Sequence, residues 1–338
     1  AGADVDEETE IDPTQRAARS EGRSPAAILV STFGDELVAH TGGRAKVFAV
    51  SVKDRGAVSM AGHAGKAFWF SKAEGEFVTS SYYYDQYPAW VDEWNAQQLA
   101  SQYGGKEWQL LHSQSSYLFG DTDDRPWETD VAGFGRTFPH PWGDSDSPYF
   151  TTLLTTSPAG DELTLSFAKV LLDREGLGED AVPDFLAISF SSTDYVGHLF
   201  GPSSLESEDN ILRLDRILAE LLEFVDEKVG LEQTLIVLSA DHGGPDSPGY
   251  SNSLNIQGGY VDPETWDKEA AIARLKSRFE IDGELIEKYE HPYVYLSSAV
   301  TERDDAEREK IERAVAAELS RLPEVSLAVS SRALAVSY

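Results

Sequence analysis

The 338-residue chain is 41% apolar and 26% charged, a globular composition long enough for one large or two ordinary domains. Its 59 acidic and 28 basic side chains leave a formal charge of −31, a field that opposes nucleic acid and anionic membranes. The absence of cysteine excludes disulfides, thiolate metal sites and cysteine nucleophiles, and no apolar run reaches the length of about 18 residues that a membrane span needs.

Residues 1–23 form a loose acidic lead without Met at its start, read as the beginning of a processed or trimmed chain. An α/β domain is expected over 24–338. "SPAAILVSTFGDELVAHTGG" predicts a helix, with Ser24 as N-cap, Pro25 at the first helical position and glycines closing it. Ser31 and Thr32 then fall inside that helix as packing residues. "RAKVFAVSV" predicts a buried strand. "KAFWF" and "FVTSSYYY" predict a hairpin with Gly75 in its turn. "PAWVDEWNAQQLASQYGG" is a helix with Gly-Gly after it. Residues 104–150 are rich in Trp, Pro, Gly and Asp, without periodicity, and read as an irregular insertion or cap. "ELTLSFAKVLLDREGLG" predicts a helix and "DFLAISF" a strand. "SEDNILRLDRILAELLEFVDEKVG" predicts a long helix with Leu214, Ile217, Leu218, Leu221, Leu222 and Val225 on one face. "QTLIVLSA" predicts a strand. "DPETWDKEAAIARLKSRF" and "TERDDAEREKIERAVAAELSRL" predict helices, and "YVYLS" and "VSLAVSS" short strands. No internal repeat is evident.

Strands alternating with helices predict an α/β/α sandwich around a largely parallel sheet, whose ligands bind beyond the carboxyl ends of the strands. "DFLAISF" runs straight into "SSTDYVGH", and "QTLIVLSA" straight into "DHGG". If the strands are parallel, Asp194, His198, Asp241 and His242 converge on one edge. Asp194 and His198 share a helix face by their i,i+4 spacing. Asp241 and His242 serve a metal only from an irregular loop, which Gly243, Gly244 and Pro245 supply. Alone, each pair reads as structural. Together, each at a strand end, they read as a metal site of the hard-to-borderline type that suits zinc. Lys53 and Arg55 follow another strand. On extended chain positions i and i+2 point the same way, so both cations reach one anion. Their alternative is a solvated strand end in which Asp54 pairs with one of them. A phosphate ligand favours the first reading, because it needs local positive charge within so acidic a protein.

"SVKDRGAVSMAGHAGKAFWF", "FVTSSYYYDQYPAWVDEWN", "DFLAISFSSTDYVGHLFGP" and "LSADHGG" closely resemble the alkaline phosphatase superfamily, in the bacterial branch related to type I phosphodiesterases and nucleotide pyrophosphatases. The likeness is greatest to the monoesterase group with a threonine nucleophile. It implies an alkaline phosphatase-like fold, two zinc ions, a small phosphate-ester substrate and a periplasmic or secreted location. Matched by motif, Asp194 and His198 serve one zinc, Asp241 and His242 the other, and Lys53 and Arg55 contact phosphate. The expected reaction is phosphomonoester hydrolysis, and possible diester hydrolysis, through a phosphothreonine. The family's first Asp, its Thr and a phosphate-binding Asn fall before the matched segment, and its last His falls after it. No residue here matches them. The chain is therefore expected to be an internal fragment, impaired or inactive as it stands. The alternatives are an inactive binding module or another superfamily member, such as a phosphodiesterase or nucleotide pyrophosphatase; no C/S-x-P-x-R frame supports a sulfatase.

Among the remaining histidines, His63 reads as structural, and His40, His112 and His140 have no partners at ligand spacing. His291 reads as structural. "DTDDRPWETD" offers Asp121, Asp123 and Glu128 for calcium, but lacks the EF-hand spacing and glycine, and reads as an acidic surface loop. No Ser or Thr sits in a nucleophile elbow.

Overall fold

Val47–Ser51 is buried along its whole length and forms β1, the centre of the main sheet. An uninterrupted apolar run of this kind belongs to a strand covered on both faces. The computed structural model describes residues 10–11, 22–290, 292–323 and 325–335. β1 pairs in parallel with β2 (Lys66–Ser71) on one side and with β6 (Phe185–Ser189) on the other. β3 (Glu76–Val78) returns antiparallel to β2 through the expected hairpin, giving the order β3-β2-β1-β6. Gly75 in that turn has φ +71°, a left-handed conformation that favours glycine.

Helices flank this largely parallel sheet: α1 (Phe33–His40), α2 (Asp54–Ala61), α3 (Ala89–Asn95), α4 (Pro158–Arg174), α5 (Ser192–Phe200) and α6 (Leu205–Lys228). Phe167 of α4 joins the layers. It is fully buried, stacks on Phe77 at 4.3 Å and meets Phe68, Trp90 and Trp94 at 5.2–5.3 Å. Aromatic pairs of this geometry add to the stabilisation from buried area. Phe167→Ala should cost about 3–5 kcal/mol in a urea titration, since the surrounding rings cannot collapse into the space.

The helix expected from Ser24 is broken. Ser24 does cap a turn of 3-10 helix over Pro25–Ala27, but α1 starts anew at Phe33. Thr32, expected to pack inside a helix, is its N-cap, in a reciprocal capping box with Asp35. Capping residues compete with helix continuation, and here the cap wins. Asp35 also accepts from the backbone N–H groups of His63 and Ala64, and His63 Nδ1 lies 2.9 Å from its carboxylate. The other ring nitrogen lies 3.0 Å from the Ile28 carbonyl. His63 is therefore structural, as expected. Burial raises the Asp35 carboxyl, but His63 and the backbone donors outweigh it and hold the group well below the carboxylate range. The hydrogen bond to Asp35 raises His63. The contribution of Asp35 is present above its unfolded pKa and lost as pH falls through the lowered folded value. That of His63 is complete below its unfolded value of about 6.5 and lost as pH rises through the raised one. His63→Ala should flatten the decline in stability above that pH, measured by denaturant midpoint.

The chain divides into two compact units, Ala1–Tyr250 and Ser251–Tyr338, where sequence suggested one domain from residue 24. The second has its own core of Ile272, Leu275, Leu285, Val300, Ile311, Val315 and Leu319. That core is built from helices α7 (Ala270–Arg278) and α8 (Asp305–Leu319) and the antiparallel pair β7 (Ile286–Glu290) and β8 (Tyr293–Leu296). The strand expected at "VSLAVSS" does not form; the chain there is irregular before a short helix, Ser331–Ala335.

In the first unit, 104–150 holds the two-residue strands β4 (Glu107–Trp108) and β5 (His140–Pro141) and a turn of 3-10 helix at Gln114–Ser116, and is otherwise largely irregular. Of the acidic lead, only Glu10, Ile11, Gly22 and Arg23 are described. Glu10 is buried, with a carboxylate oxygen 2.6 Å from Lys72 Nζ. The rest of the lead and His291 lie outside the described residues. The strand expected at "QTLIVLSA" is absent too. Leu235, Val237 and Leu238 are 90%, 81% and 77% exposed, and no described strand pairs with the segment. The apolarity signals burial, but a strand also needs a neighbour for its ladder. The apolar face expected on α6 is half-formed in the same way, with Ile217 buried and Leu214, Leu218, Leu221, Leu222 and Val225 partly covered.

Candidate metal centre

The parallel register aligns Ser51 at the end of β1 with Ser189 at the end of β6. Whatever follows the two strands therefore emerges on one edge. After β1, Lys53 becomes the N-cap residue of α2; after β6, Ser191 occupies the same place before α5. Three serine hydroxyls tie the strand ends together, Ser51 to Ser191 at 2.8 Å and Ser189 to Ser191 at 2.6 Å. The start of α5 is held from α4 by Asp161, whose carboxylate accepts from Ser192 N (3.0 Å), Thr193 N (3.2 Å) and Thr193 Oγ1 (3.0 Å). Burial pushes the Asp161 carboxyl up to about 7 against these donors. Sequence reading missed Asp161. Its position in the first turn of α4 reads as an acid serving its own helix N-terminus, and only the tertiary fold turns it onto another.

On α5, Asp194 and His198 face the same way, with Nε2 of His198 3.1 Å from Asp194 Oδ1. His242 Nε2 reaches the same oxygen at 3.1 Å, although the segment before it forms no strand. One ligand atom from each of Asp194, His198 and His242 lies within 4.8 Å of the others, the one such group among the described residues. The Asp194 side chain is 13% exposed, whereas those of His198 and His242 are 65% and 51% exposed. A largely covered acid thus forms the floor, with two imidazoles at the open rim. Lys53 Nζ holds the second Asp194 oxygen and lies 4.1 Å from the centroid of the Tyr195 ring. Burial raises the Asp194 carboxyl, but hydrogen bonds from His198 and Lys53 outweigh it and hold it well below the carboxylate range. The bond to Asp194 raises His198, against its partial burial.

Two features differ from the sequence reading. Asp241 is not one of the three grouped residues, and its 66% exposed side chain borders them, with a carboxylate oxygen 3.5 Å from His242 Nε2. Lys53 and Arg55 do not share an extended segment, because α2 begins at Asp54. Lys53 is buried against Asp194, while Arg55 is exposed on the first helical turn. Asp54, the residue that might have paired with one of them, instead binds Arg23 and the Arg55 backbone N–H.

The type I phosphodiesterase/nucleotide pyrophosphatase family model matches residues 29–334. The chain belongs to that family. It is 40% identical over 229 residues to the alkaline phosphatase PhoV of Synechococcus elongatus, covering 67% of this chain and 42% of that protein. It is 34% identical over 334 residues to a Myroides odoratus protein named a calcium-transporting ATPase, covering 96% and 61%. The alkaline phosphatase PafA of Elizabethkingia meningoseptica is 34% identical over 325 residues, covering 95% and 59%. The crystal structure of PafA superposes with a TM-score of 0.76 at 35% identity, over 87% of this chain and 56% of that one. The fold is therefore that of a PafA-like alkaline phosphatase, a mostly parallel sheet flanked by helices. The chain spans between 42% and 61% of the length of these curated relatives.

Proposed function

We propose that this chain carries the metal-binding and phosphate-contacting part of a zinc-dependent phosphohydrolase acting on small phosphate esters. The convergence of Asp194, His198 and His242 beside a buried lysine supports this reading above all. Two imidazoles and one carboxylate are a donor set that suits zinc, and three protein ligands leave a position open, as in catalytic sites. Bound there, zinc would supply positive charge to polarise a phosphoryl oxygen. The residues of the chain do the rest. Asp194 orients both imidazoles through one oxygen. Asp161 and the linked serines fix the start of α5, which presents Asp194 and His198. Lys53 keeps its ammonium buried at the same edge, where a non-bridging phosphate oxygen would compete with Asp194 for it. Arg55 reaches the site only if its exposed side chain swings toward it, and Asp241 and His242 would serve a second zinc only if the loop closes further.

The phosphothreonine route and the periplasmic or secreted location are proposed for the whole protein on family grounds. Among the described residues no helix is long and apolar enough to cross a membrane. The test is zinc titration of this chain beside an aryl-phosphate assay on a polypeptide of the relatives' full length. Tight zinc binding, lost in His198→Ala, with hydrolysis by the longer polypeptide, is expected. Zinc binding without any hydrolysis by the longer polypeptide would favour an inactive binding module.

A further inference from the structure

α5 carries two of the three grouped ligands, Asp194 and His198, yet it does not cap its own N-terminus. Its N-cap residue, Ser191, makes no side-chain bond to the first turn; the hydroxyl is turned instead to Ser51 and Ser189. The first N–H groups of a helix need acceptors, and Asp161 supplies them from α4. Gly160 allows that approach, because a Cβ there would collide with Ser192 Oγ and press on the Thr155 backbone.

Thr193, the residue before Asp194, is gripped from a third helix as well. Its one hydroxyl proton goes to Asp161 Oδ2, which also takes the Thr193 N–H. The Thr193 oxygen is then left to accept, and Asn210 of α6 donates to it through Nδ2 at 2.9 Å. α6 is pinned at this point. Asp209, fully buried beside Asn210, accepts from Trp108 Nε1, Leu111 N and Arg213 Nε at 2.7 Å and from the Tyr117 hydroxyl. Trp108, Leu111 and Tyr117 fasten the second turn of α6 to the 104–150 insertion. Asn210 itself is 1% exposed, and its Oδ1 is buried without a hydrogen-bond partner. An unpaired buried amide oxygen costs stability, and an apolar side chain of similar volume would avoid that cost. Stability alone is thus a poor reason for an amide here.

We propose that Thr193 and Asn210 are positioning residues for the metal centre, the chain Asp161–Thr193–Asn210 setting the placement of α5 between α4 and α6. The inference rests on the zinc reading above. Asp194 and His198 ride on one helix, so their spacing survives a shift of α5 as a body. The 3.1 Å contact of Asp194 with His242 does not, because His242 comes from a different segment. The network therefore guards the one ligand contact that α5 cannot guard by itself. It acts through the backbone of the first turn, in which Thr193 directly precedes Asp194.

Calorimetric zinc titration beside urea unfolding, on the whole chain, tests this. Thr193→Val removes the hydroxyl at nearly constant shape, and zinc affinity should fall on the order of tenfold, as on loss of an outer-shell partner. Thr193→Ser, which keeps the hydroxyl, should bind as the parent does. Asn210→Leu should lose affinity by a similar factor while its unfolding midpoint holds or rises, since the unpaired oxygen is gone. Cobalt, a coloured stand-in for zinc, should give visible bands altered in Thr193→Val and Asn210→Leu, reporting a changed ligand geometry. Parental affinity and cobalt bands in both variants would overturn the inference alone. So would an Asn210→Leu variant with a lower midpoint and parental affinity, whose amide would then be structural. Thr193→Ser as weak as Thr193→Val would assign the loss to packing of the methyl group and overturn it too. A parent that binds neither metal would sink the zinc reading, and this inference with it.

Discussion

Asp194→Ala should abolish tight zinc binding and destabilise the first unit in the same stroke. Asp194 Oδ1 is the atom on which His198 and His242 both converge at 3.1 Å, and its other oxygen is held by Lys53. Loss of the carboxylate removes a ligand and frees both imidazoles to rotate. Zinc affinity should fall by about 100-fold or more, beyond what loss of an outer-shell partner produces. It also leaves the Lys53 ammonium buried, its side chain 8% exposed, with no counter-charge. Breaking one half of a buried ion pair costs about 3–5 kcal/mol. The two consequences separate in the double variant Lys53→Met with Asp194→Ala, which should recover most of the stability and none of the zinc affinity. Calorimetric zinc titration and urea unfolding measure them. Parent-like zinc affinity in Asp194→Ala would remove this group as the metal centre.

The parts legible in the sequence are those whose signals are local. β1, β2 and β6 announce themselves by apolar runs, and Asp194 and His198 by helical spacing behind a strand, so this edge of the sheet could be placed in advance. What failed depended on partners. Residues 235–238 have the composition of a strand, but apolarity reports a preference for burial and not the presence of a neighbour. The Lys53 and Arg55 pairing rested on extended geometry, and Asp54 begins a helix instead, which sends one side chain inward and the other out. Thr32 was misplaced because a hydroxyl inside an apolar window looks like packing until its reciprocal partner, Asp35, is recognised. Glu128 was read as solvated because charge patterns carry no depth, and only the fold reveals that it is buried.

Lys53 and Arg55 should differ in what their loss does, and the substrate should reveal it. In a polypeptide of the relatives' full length, Lys53→Ala should impair phosphomonoesters more than diesters. A monoester dianion offers more terminal charge to a buried ammonium than a diester monoanion does. The expected loss on the monoester is on the order of 2–4 kcal/mol of transition-state stabilisation, the range for a preorganised oxyanion contact. Lys53→Ala also leaves Asp194 without its cation, so zinc must be kept saturating for the comparison of kcat/KM to report on phosphate alone. The Arg55 side chain is exposed, in contrast to the buried Lys53. Arg55→Ala should leave zinc affinity at the parental level, since Arg55 is not in the ligand group. If Arg55 swings in to contact phosphate, its loss should nonetheless select against monoesters as that of Lys53 does. If it stays in solvent, both substrates should be hydrolysed at parental rates. Equal losses on the two substrates for Lys53→Ala would instead assign the lysine to holding Asp194, with no direct part in phosphate recognition.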